Sequence, residues 1–221
     1  ESQTVILKAL QKSSREYQLM FYLALFTGAR LQTICTLRIK SLIGCELDSH
    51  GFIRLPVGAG TGIDSKFQKP MTLLIPNWLA QDLKIYINSE QARQRRQKSN
   101  YGESDENYVF LTKLGTPFYT SKVEQQELTE KIKSSDSFGM RLKLYEGEAV
   151  RSYLKVVLLP EIRLIDPQFP SFKFHDLRAS FGMNLLESQL QHLPEGHSAM
   201  TAVEYVQARM GHRNISTTLQ Y

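Results

Sequence analysis

Apolar residues recur every three or four positions along much of the chain, and this spacing predicts a mainly helical protein. The clearest stripe is Phe174, Leu177, Phe181 and Leu185, which share one face of a helix. Residues 14–27 carry a similar stripe, which Thr27 and Gly28 interrupt. Further helices are predicted from residue 29, over 77–98, 120–132, 148–159 and 198–210, and in a last short helix capped by Asn214 or Ser216.

Shorter apolar runs beside turn-forming residues predict a small antiparallel sheet. Residues 42–57 are interpreted as a β-hairpin, because Asp48 to Gly51 separate two apolar runs. A flexible glycine-rich loop that carries Lys66 and Lys69 follows, and a third strand is predicted at 71–76. A short strand or buried link is expected at 108–111, and a loop at Pro160, Pro167 and Pro170. The predicted fold class is therefore mainly α with a small antiparallel β-sheet (α+β).

Length and composition exclude some classes of protein. The 221 residues suit one large domain or two small ones, and no apolar run is long enough to span a bilayer. We find no signal-peptide pattern and expect a cytoplasmic, nucleoid-associated protein. Since the chain begins at Glu1 without a methionine, we expect a fragment or a processed protein. Cys35 and Cys45 lack metal-ligand spacing, which favours two buried thiols in a reducing cytosol.

The basic charge is a moderate signal for a polyanionic partner. The formal net charge is +5, and the isoelectric point is near 9.1. The helix predicted over 77–98 ends in Arg93, Arg95, Arg96 and Lys98. This run is either a strip that faces phosphates or a solvated helix end that complements the helix dipole.

Six residues stand out as candidates for chemistry, although each alone has an ordinary structural interpretation. They are Arg30, Lys66, His175, Arg178, His212 and Tyr221. The arginine of Thr-Gly-Ala-Arg could close a salt bridge, the lysine could be an exposed loop residue, and His-x-x-Arg could be a helix-surface pair. The histidine of Gly-His could pack against a turn, and the tyrosine could be a core aromatic.

Together on a basic chain, these residues suit attack on a phosphodiester without a metal. The planar guanidinium groups of Arg30 and Arg178 can pair with phosphate oxygens. A tyrosine with a pKa of about 10 is scarcely ionised at neutral pH, so Tyr221 needs a base such as His175 or a strongly positive surrounding. Lys66 is a suitable proton donor to the leaving alkoxide. The sequence has no His-x-x-x-His, Cys-x-x-Cys or phosphate-binding Gly-x-x-x-x-Gly-Lys loop.

In these motifs the chain resembles the catalytic domain of the tyrosine recombinases, the phage integrase family. The matching motifs are Thr27-Gly28-Ala29-Arg30, the hairpin Lys66, His175-Asp176-Leu177-Arg178, and Gly211-His212 followed through Thr217-Thr218 by Tyr221. The resemblance implies the tyrosine recombinase catalytic-domain fold over residues 15–221. It also implies that residues 1–14 are a linker from an N-terminal DNA-binding domain.

The resemblance further implies a mechanism. Tyr221 would attack the scissile phosphate to form a 3′-phosphotyrosine link and release a 5′-hydroxyl, with no metal, ATP or other cofactor. Arg30, Arg178 and His212 would hold the phosphate, Lys66 would be the general acid and His175 would assist proton transfer. Lys66 is preferred over Lys69 because its distance from Pro76 fits the family's spacing.

The implied partner is double-stranded DNA at a recombination site. Four protomers would synapse two sites, and without DNA the protein would be a monomer or weak oligomer; no membrane partner is expected. DNA contacts are predicted for Lys69, Arg93, Arg95, Arg96, Lys98 and Arg213.

The chain departs from the family's usual pattern in two places. Residues 119–170 are longer than is typical, which predicts an insertion that contacts DNA or a neighbour. The chain also stops at Tyr221, where relatives continue into a tail that docks on the adjacent protomer, so we expect different control of this tyrosine.

Three alternatives stay open. Two are a type IB topoisomerase and a hairpin telomere resolvase, although the compact spacing from His212 to Tyr221 favours the integrase branch. The third is a catalytically silent DNA-binding protein on the same fold, which the filled catalytic positions disfavour. The working hypothesis is a prokaryotic mobile-element or phage integrase.

Overall fold

The computed structural model describes residues 2–134, 143–193 and 198–220. Its helices are α1 (Ser2–Leu10), α2 (Arg15–Thr27), α3 (Leu31–Cys35), α4 (Ile39–Ile43), α5 (Asn77–Ile87), α6 (Glu90–Gln97), α7 (Lys122–Ser134), α8 (Glu148–Tyr153), α9 (Leu159–Ile165), α10 (Phe174–Gln191), α11 (Ala199–Met210) and α12 (Ile215–Thr218). A π-helical segment, Leu154–Leu158, joins α8 to α9. Strands β1 (Phe52–Val57) and β2 (Met71–Pro76) form an antiparallel pair, so the predicted fold class is confirmed.

Helix α2 lies at the centre of the fold. Its buried residues are not confined to one stripe, since Leu19, Met20, Phe21, Leu23, Ala24 and Leu25 are all buried. A helix that is apolar on most of its circumference must be surrounded by other elements. Accordingly, α2 contacts α5, α10 and β2. Its C-terminal end therefore lies where several elements meet.

The hairpin predicted over residues 42–57 is wrong in its first strand. Ile39 and Leu42 are buried three positions apart, and this helical spacing is satisfied by α4. Only an isolated bridge, Leu47 to Ile53, closes the turn that begins at Asp48. Strand β1 pairs instead with the predicted third strand, β2, and Ile53 lies opposite Ile75.

The predicted helix over 77–98 and the predicted loop at Pro160 also differ from the structure. The helix expected over 77–98 is interrupted because Ser89 starts a new one, α6, by accepting a hydrogen bond of 3.2 Å from the Ala92 amide. Asn77 is the first residue of α5, whereas Pro76 occupies the predicted cap position. Pro160 lies inside α9 and not in a loop. The π-helical turn just before it alters the backbone that the proline ring would otherwise contact.

The predicted linker and the predicted insertion both contain helices. Part of the predicted linker forms α1, whose Ile6, Ala9 and Leu10 are buried, while the assignment of 1–14 to a linker remains a prediction. The predicted insertion contains the described helices α7 to α9, and its role remains a prediction. Cys35 is buried, but Cys45 is only half-buried. Among the described helices, none is both long and apolar enough to cross a membrane.

Two arginines of the basic run are interior residues. Arg95 donates a hydrogen bond of 2.8 Å to Glu16 on α2 and another of 2.8 Å to the Leu111 carbonyl. Arg96 pairs with Glu103 at 2.6 Å and is likewise buried. A guanidinium in such a position cannot reach a DNA phosphate, so the DNA-binding prediction for these two residues is not kept. Arg93 and Lys98 of the same run are exposed.

Replacing Arg95 by alanine should lower the free energy of unfolding by about 3–5 kcal/mol, because it leaves the Glu16 carboxylate buried without its cation. The matched variant Arg93→Ala, at an exposed position of the same helix, should change it by less than about 0.5 kcal/mol. Urea denaturation of both variants measures the difference. Equal effects would contradict the structural role given to Arg95.

Candidate active site

The Thr27-Gly28 corner ends α2 and sets the position of Arg30. The Thr27 hydroxyl donates to the Leu23 carbonyl and accepts a hydrogen bond of 3.2 Å from the Ala29 amide. Gly28 adopts a left-handed conformation with φ of 67°, and its amide donates to the Ala24 carbonyl at 3.1 Å. Arg30 then directly precedes α3. The motif therefore ends one helix and begins the next within three residues.

Gly28 is also required by close packing. A Cβ at this position would overlap the Phe181 ring of α10, and it would lie 3.2 Å from the Met210 sulfur of α11. The contact between α2 and α10 thus depends on the absence of a side chain here.

The Arg178 guanidinium joins the sequence motifs to one another. It is only 3% exposed, and it donates hydrogen bonds to the carbonyls of Gly28 and Met210. These carbonyls lie at the C-terminal ends of α2 and α11, where the helix dipole is negative. The guanidinium therefore stabilises both helix ends while it is held in a fixed orientation.

His212 is positioned by the end of α11 and by α12. Gly211 ends α11 in a left-handed conformation with φ of 59°, and the His212 amide donates to the Gln207 carbonyl at 3.0 Å. The His212 Nδ1 atom lies 2.9 Å from the Thr218 hydroxyl. Thr218 is fully buried, so the ring is oriented by a fixed partner.

His175 lies in the first turn of α10, one turn before Arg178. The neighbouring Asp176 accepts a hydrogen bond of 2.8 Å from the Lys173 amide, which fixes the start of this helix. The His175 side chain is exposed, in contrast to that of Arg178. Because the two residues are three positions apart, both reach the same end of the helix.

These residues line one cleft of about 1020 Å³. The structure brings together the predicted residues Arg30, Lys66, Lys69, His175, Arg178, His212 and Arg213. Among the described residues that line the cleft, none is Asp or Glu. Arg93 and Lys98 do not line it. Tyr221 lies outside the described residues, and Gln220, which precedes it in the sequence, lines the cleft. The cleft is thus strongly basic.

Two further arginines on the cleft wall were missed by the sequence analysis. Arg54 projects from the exposed face of β1, and Arg209 lies near the end of α11 within 5.9 Å of the Tyr205 ring. In the sequence, Arg54 stands at a polar position of the alternating pattern of β1, and Arg209 stands three residues before His212. Neither observation places an arginine in the cleft until the pairing of β1 with β2 is known.

Both cleft histidines favour their neutral forms. Partial burial, then the positive charges of Arg178 and Arg30, lower the pKa of His212 to about 4. The pKa of His175 is lowered by partial burial, by the same two arginines and by Lys66, against an opposing effect of Asp176. Each neutral ring therefore offers one hydrogen-bond donor and one acceptor near neutral pH. In the part of the chain that the structure describes, no cluster of His, Cys, Asp and Glu has metal-binding geometry.

The family model described as the phage integrase family matches residues 2–221. The chain belongs to the phage integrase family. The prediction of this family and of the tyrosine recombinase catalytic-domain fold is thereby confirmed. A search of curated proteins gave no match.

Solved recombinases share the fold of this integrase-family chain. It is similar to XerH site-specific recombinase bound to difH substrate in a pre-cleavage complex, at 16% identity and a TM-score of 0.56 over 97% of this chain and 46% of that one. It is also similar to the Tn1549 transposon integrase in complex with transposon right end DNA, at 17% identity and a TM-score of 0.51 over 99% of this chain and 58% of that one. The chain thus spans about half the length of these solved relatives, and at this identity the likeness concerns the fold alone.

Replacing Gly28 by alanine should destabilise this integrase-family fold by about 2–5 kcal/mol. The strained left-handed conformation costs about 1–2 kcal/mol, and overlap with Phe181 adds about 1–3 kcal/mol. Gly211→Ala is the matched control, because its Cβ would make only an ordinary contact of 3.6 Å with Met71. Thermal unfolding should therefore show a clearly larger loss for the first variant, and equal losses would refute the packing argument.

The stability of the integrase-family chain should fall as the pH is lowered from about 6.5 towards about 4. The folded state lowers the pKa of His212 from the usual 6.5 to about 4, so in this window the unfolded chain binds more protons. The contribution of His212 to stability is complete above about pH 6.5 and is lost as the pH falls towards about 4. Urea denaturation should show a smaller loss in His212→Gln, and an unchanged pH dependence in that variant would contradict the assignment.

Proposed function

We propose that this chain is the catalytic part of a site-specific DNA recombinase, which cleaves and rejoins DNA strands through a 3′-phosphotyrosine intermediate at Tyr221. The observation that carries the proposal is the basic cleft, where five of the six candidate catalytic side chains meet and no acidic side chain of the described residues intrudes. The proposed biological role is integration or excision of a mobile element or phage.

Arg30 and Arg178 would hold the non-bridging oxygens of the scissile phosphate. A guanidinium carries five N–H donors, so the bonds from Arg178 to two carbonyls are compatible with a further contact in the cleft that it lines. Negative charge accumulates on these oxygens in the transition state. Loss of one such preorganised donor typically lowers the rate by about 10²–10³.

His212 would donate a third hydrogen bond to the phosphate. In the tautomer where Nδ1 accepts the 2.9 Å hydrogen bond from the Thr218 hydroxyl, the neutral ring carries its proton on Nε2. In this tautomer Nε2 is a donor without adding a full charge to an already basic cleft. The low pKa of His212 is consistent with this role.

One side chain would take the proton from the attacking tyrosine, and another would donate a proton to the leaving 5′-oxygen. The neutral His175 would accept the proton of the Tyr221 hydroxyl as its oxygen attacks phosphorus. The bond from phosphorus to the 5′-oxygen would break, and Lys66 would donate a proton to that oxygen. The phosphotyrosine conserves the energy of the original bond, so the reverse attack by a 5′-hydroxyl needs no ATP. These side chains supply the charge and the proton transfers, so the proposal includes no metal or cofactor.

The proposed partner is double-stranded DNA, held by basic residues around the catalytic group. Lys69 and Arg213, together with Arg54 and Arg209, line the same cleft and would contact neighbouring phosphates. The structural relatives named above include recombinases bound to DNA. Assembly of four protomers on two synapsed DNA sites belongs to the same proposal.

The proposed chemistry is tested by covalent trapping on supercoiled plasmid that carries the ends of the encoding element. Incubation in EDTA followed by detergent should give a covalent protein–DNA adduct with the unmodified chain and none with Tyr221→Phe. Tyr145→Phe, which removes a phenol hydroxyl outside the cleft, should retain the adduct. Gel electrophoresis of labelled DNA provides the measurement.

The possible failures of this test point to different functions. An adduct that persists in Tyr221→Phe would show that another residue is the nucleophile. DNA binding without any adduct would favour a silent DNA-binding protein on the same fold. Relaxed plasmid without recombinant product would favour a topoisomerase.

A further inference from the structure

A large aromatic side chain lies fully exposed on the wall of the basic cleft. Phe67 is 90% exposed, more than any other large apolar residue of the described chain. It lies in the 3-10 turn Lys66–Gln68, between β1 and β2. Such exposure contributes little to the stability of the free chain, because the ring buries little surface against other residues. The mechanism proposed above does not use this residue.

The backbone that presents this ring is strained. Phe67 has φ of 57° and Gln68 has φ of 55°, and within the described ranges these are the only non-glycine residues with positive φ. The left-handed conformation is unfavourable for residues with a Cβ and is a marked outlier for a bulky one. Glycine would relieve this strain, so the aromatic residue is not explained by the needs of the turn.

The surrounding hydrogen bonds hold the strained turn in place. The Ser65 hydroxyl donates to the Lys69 carbonyl at 2.5 Å, and the Ala59 amide donates to the Gln68 carbonyl at 3.0 Å. The Gln68 amide group donates to the buried Asp64 carboxylate at 3.0 Å. The loop that we predicted to be flexible is therefore anchored on both sides of the ring, and Phe67 is presented from a fixed support.

The anchor extends to the rest of the fold through Asp64. Its carboxylate accepts a hydrogen bond of 2.7 Å from Gln32 on α3 and one of 3.1 Å from the Lys122 amide, where α7 begins. Since α3 starts directly after Arg30, the same helix sets the position of the arginine and of the aromatic ring.

The immediate surroundings of the ring select a ligand that is both anionic and aromatic. The Lys66 ammonium lies 5.2 Å from the centre of the Phe67 ring, and Lys69 follows two residues later on the same cleft wall. A nucleic acid offers both features, because bases stack on aromatic side chains while lysines contact the adjacent phosphates.

We propose that Phe67 contacts a base of the bound duplex at the step beside the phosphate held in the cleft, as an apolar wedge that partly unstacks this step. Apolar side chains inserted between base pairs are a known means of bending DNA. Their cost depends on the sequence that is unstacked, so Phe67 would favour flexible pyrimidine–purine steps at this position. This inference rests on the proposed function, since it requires DNA in the cleft.

The test uses a fluorescently labelled duplex of mixed sequence and measures affinity by anisotropy over a series of salt concentrations. Phe67→Ala should weaken binding by roughly 5- to 100-fold, the contribution of one stacked base, while the slope of log affinity against log salt stays unchanged. Lys66→Ala should instead reduce that slope by about one, because it removes a phosphate contact. A merely structural role of the ring would not separate these two quantities.

Further variants separate the ring from its apolar bulk. Phe67→Tyr keeps an aromatic face and should retain most of the affinity, whereas Phe67→Leu keeps only the apolar bulk and should bind with an affinity between those of the unmodified chain and Phe67→Ala. Leu164→Ala, which removes a side chain that is 73% exposed on α9, should behave as the unmodified chain does. On duplexes that differ only in TA steps against GC steps, the unmodified chain should prefer TA, and Phe67→Ala should lose this preference.

Two failures are distinguishable. If the unmodified chain binds with the expected salt dependence but Phe67→Ala binds as well as Leu164→Ala, the wedge is refuted and the proposed function stands. If the unmodified chain does not bind duplex DNA even at low salt, both proposals are refuted.

Discussion

The candidate site depends on one buried guanidinium. Arg178 donates to the carbonyls of Gly28 and Met210, at the C-terminal ends of α2 and α11. Without this cation the negative ends of both helix dipoles would lose a compensating charge, and two carbonyls would lose their donor. Arg30 lies two residues after Gly28, and His212 lies two residues after Met210. The geometry of the candidate site therefore depends on the hydrogen bonds that Arg178 of α10 makes to the ends of α2 and α11.

The same arrangement concentrates positive charge and explains the state of the histidines. None of the described lining residues is a carboxylate, although Arg54 pairs at 3.3 Å with Asp48, which does not line the cleft. Partial burial, and then the positive charges of Arg178 and Arg30, lower the pKa of both histidines, so both rings favour their neutral forms.

Local features of the site could be predicted from the sequence, whereas long-range ones could not. The interruption of the helix at Thr27 and Gly28 and the helical spacing of His175 and Arg178 are local, and both were confirmed. The pairing of β1 with β2 depends on contacts across the loop of residues 58–70, so the hairpin was assigned to the wrong partner strand. The burial of Arg95 depends on Glu16, far away in sequence, and no local pattern marks that pair. The strain at Phe67 lies in a backbone angle that the residue type does not indicate.

The effect of each basic residue on the surface potential depends on its partners. Arg95 and Arg96 are buried and paired with Glu16 and Glu103, so they contribute little to the electrostatic potential at the surface. In the cleft, Arg178 donates instead to helix-end carbonyls and Arg54 pairs with Asp48 at 3.3 Å, while none of the described lining residues is a carboxylate. The net charge of +5 consequently understates the local potential. Asp64 makes this possible, because it is buried beneath the loop, where it anchors Lys66 and Phe67 to α3 without lining the cleft. Its carboxylate is occupied by the side chains of Gln68 and Gln32, so it holds the loop against α3 and is not paired with a cleft cation.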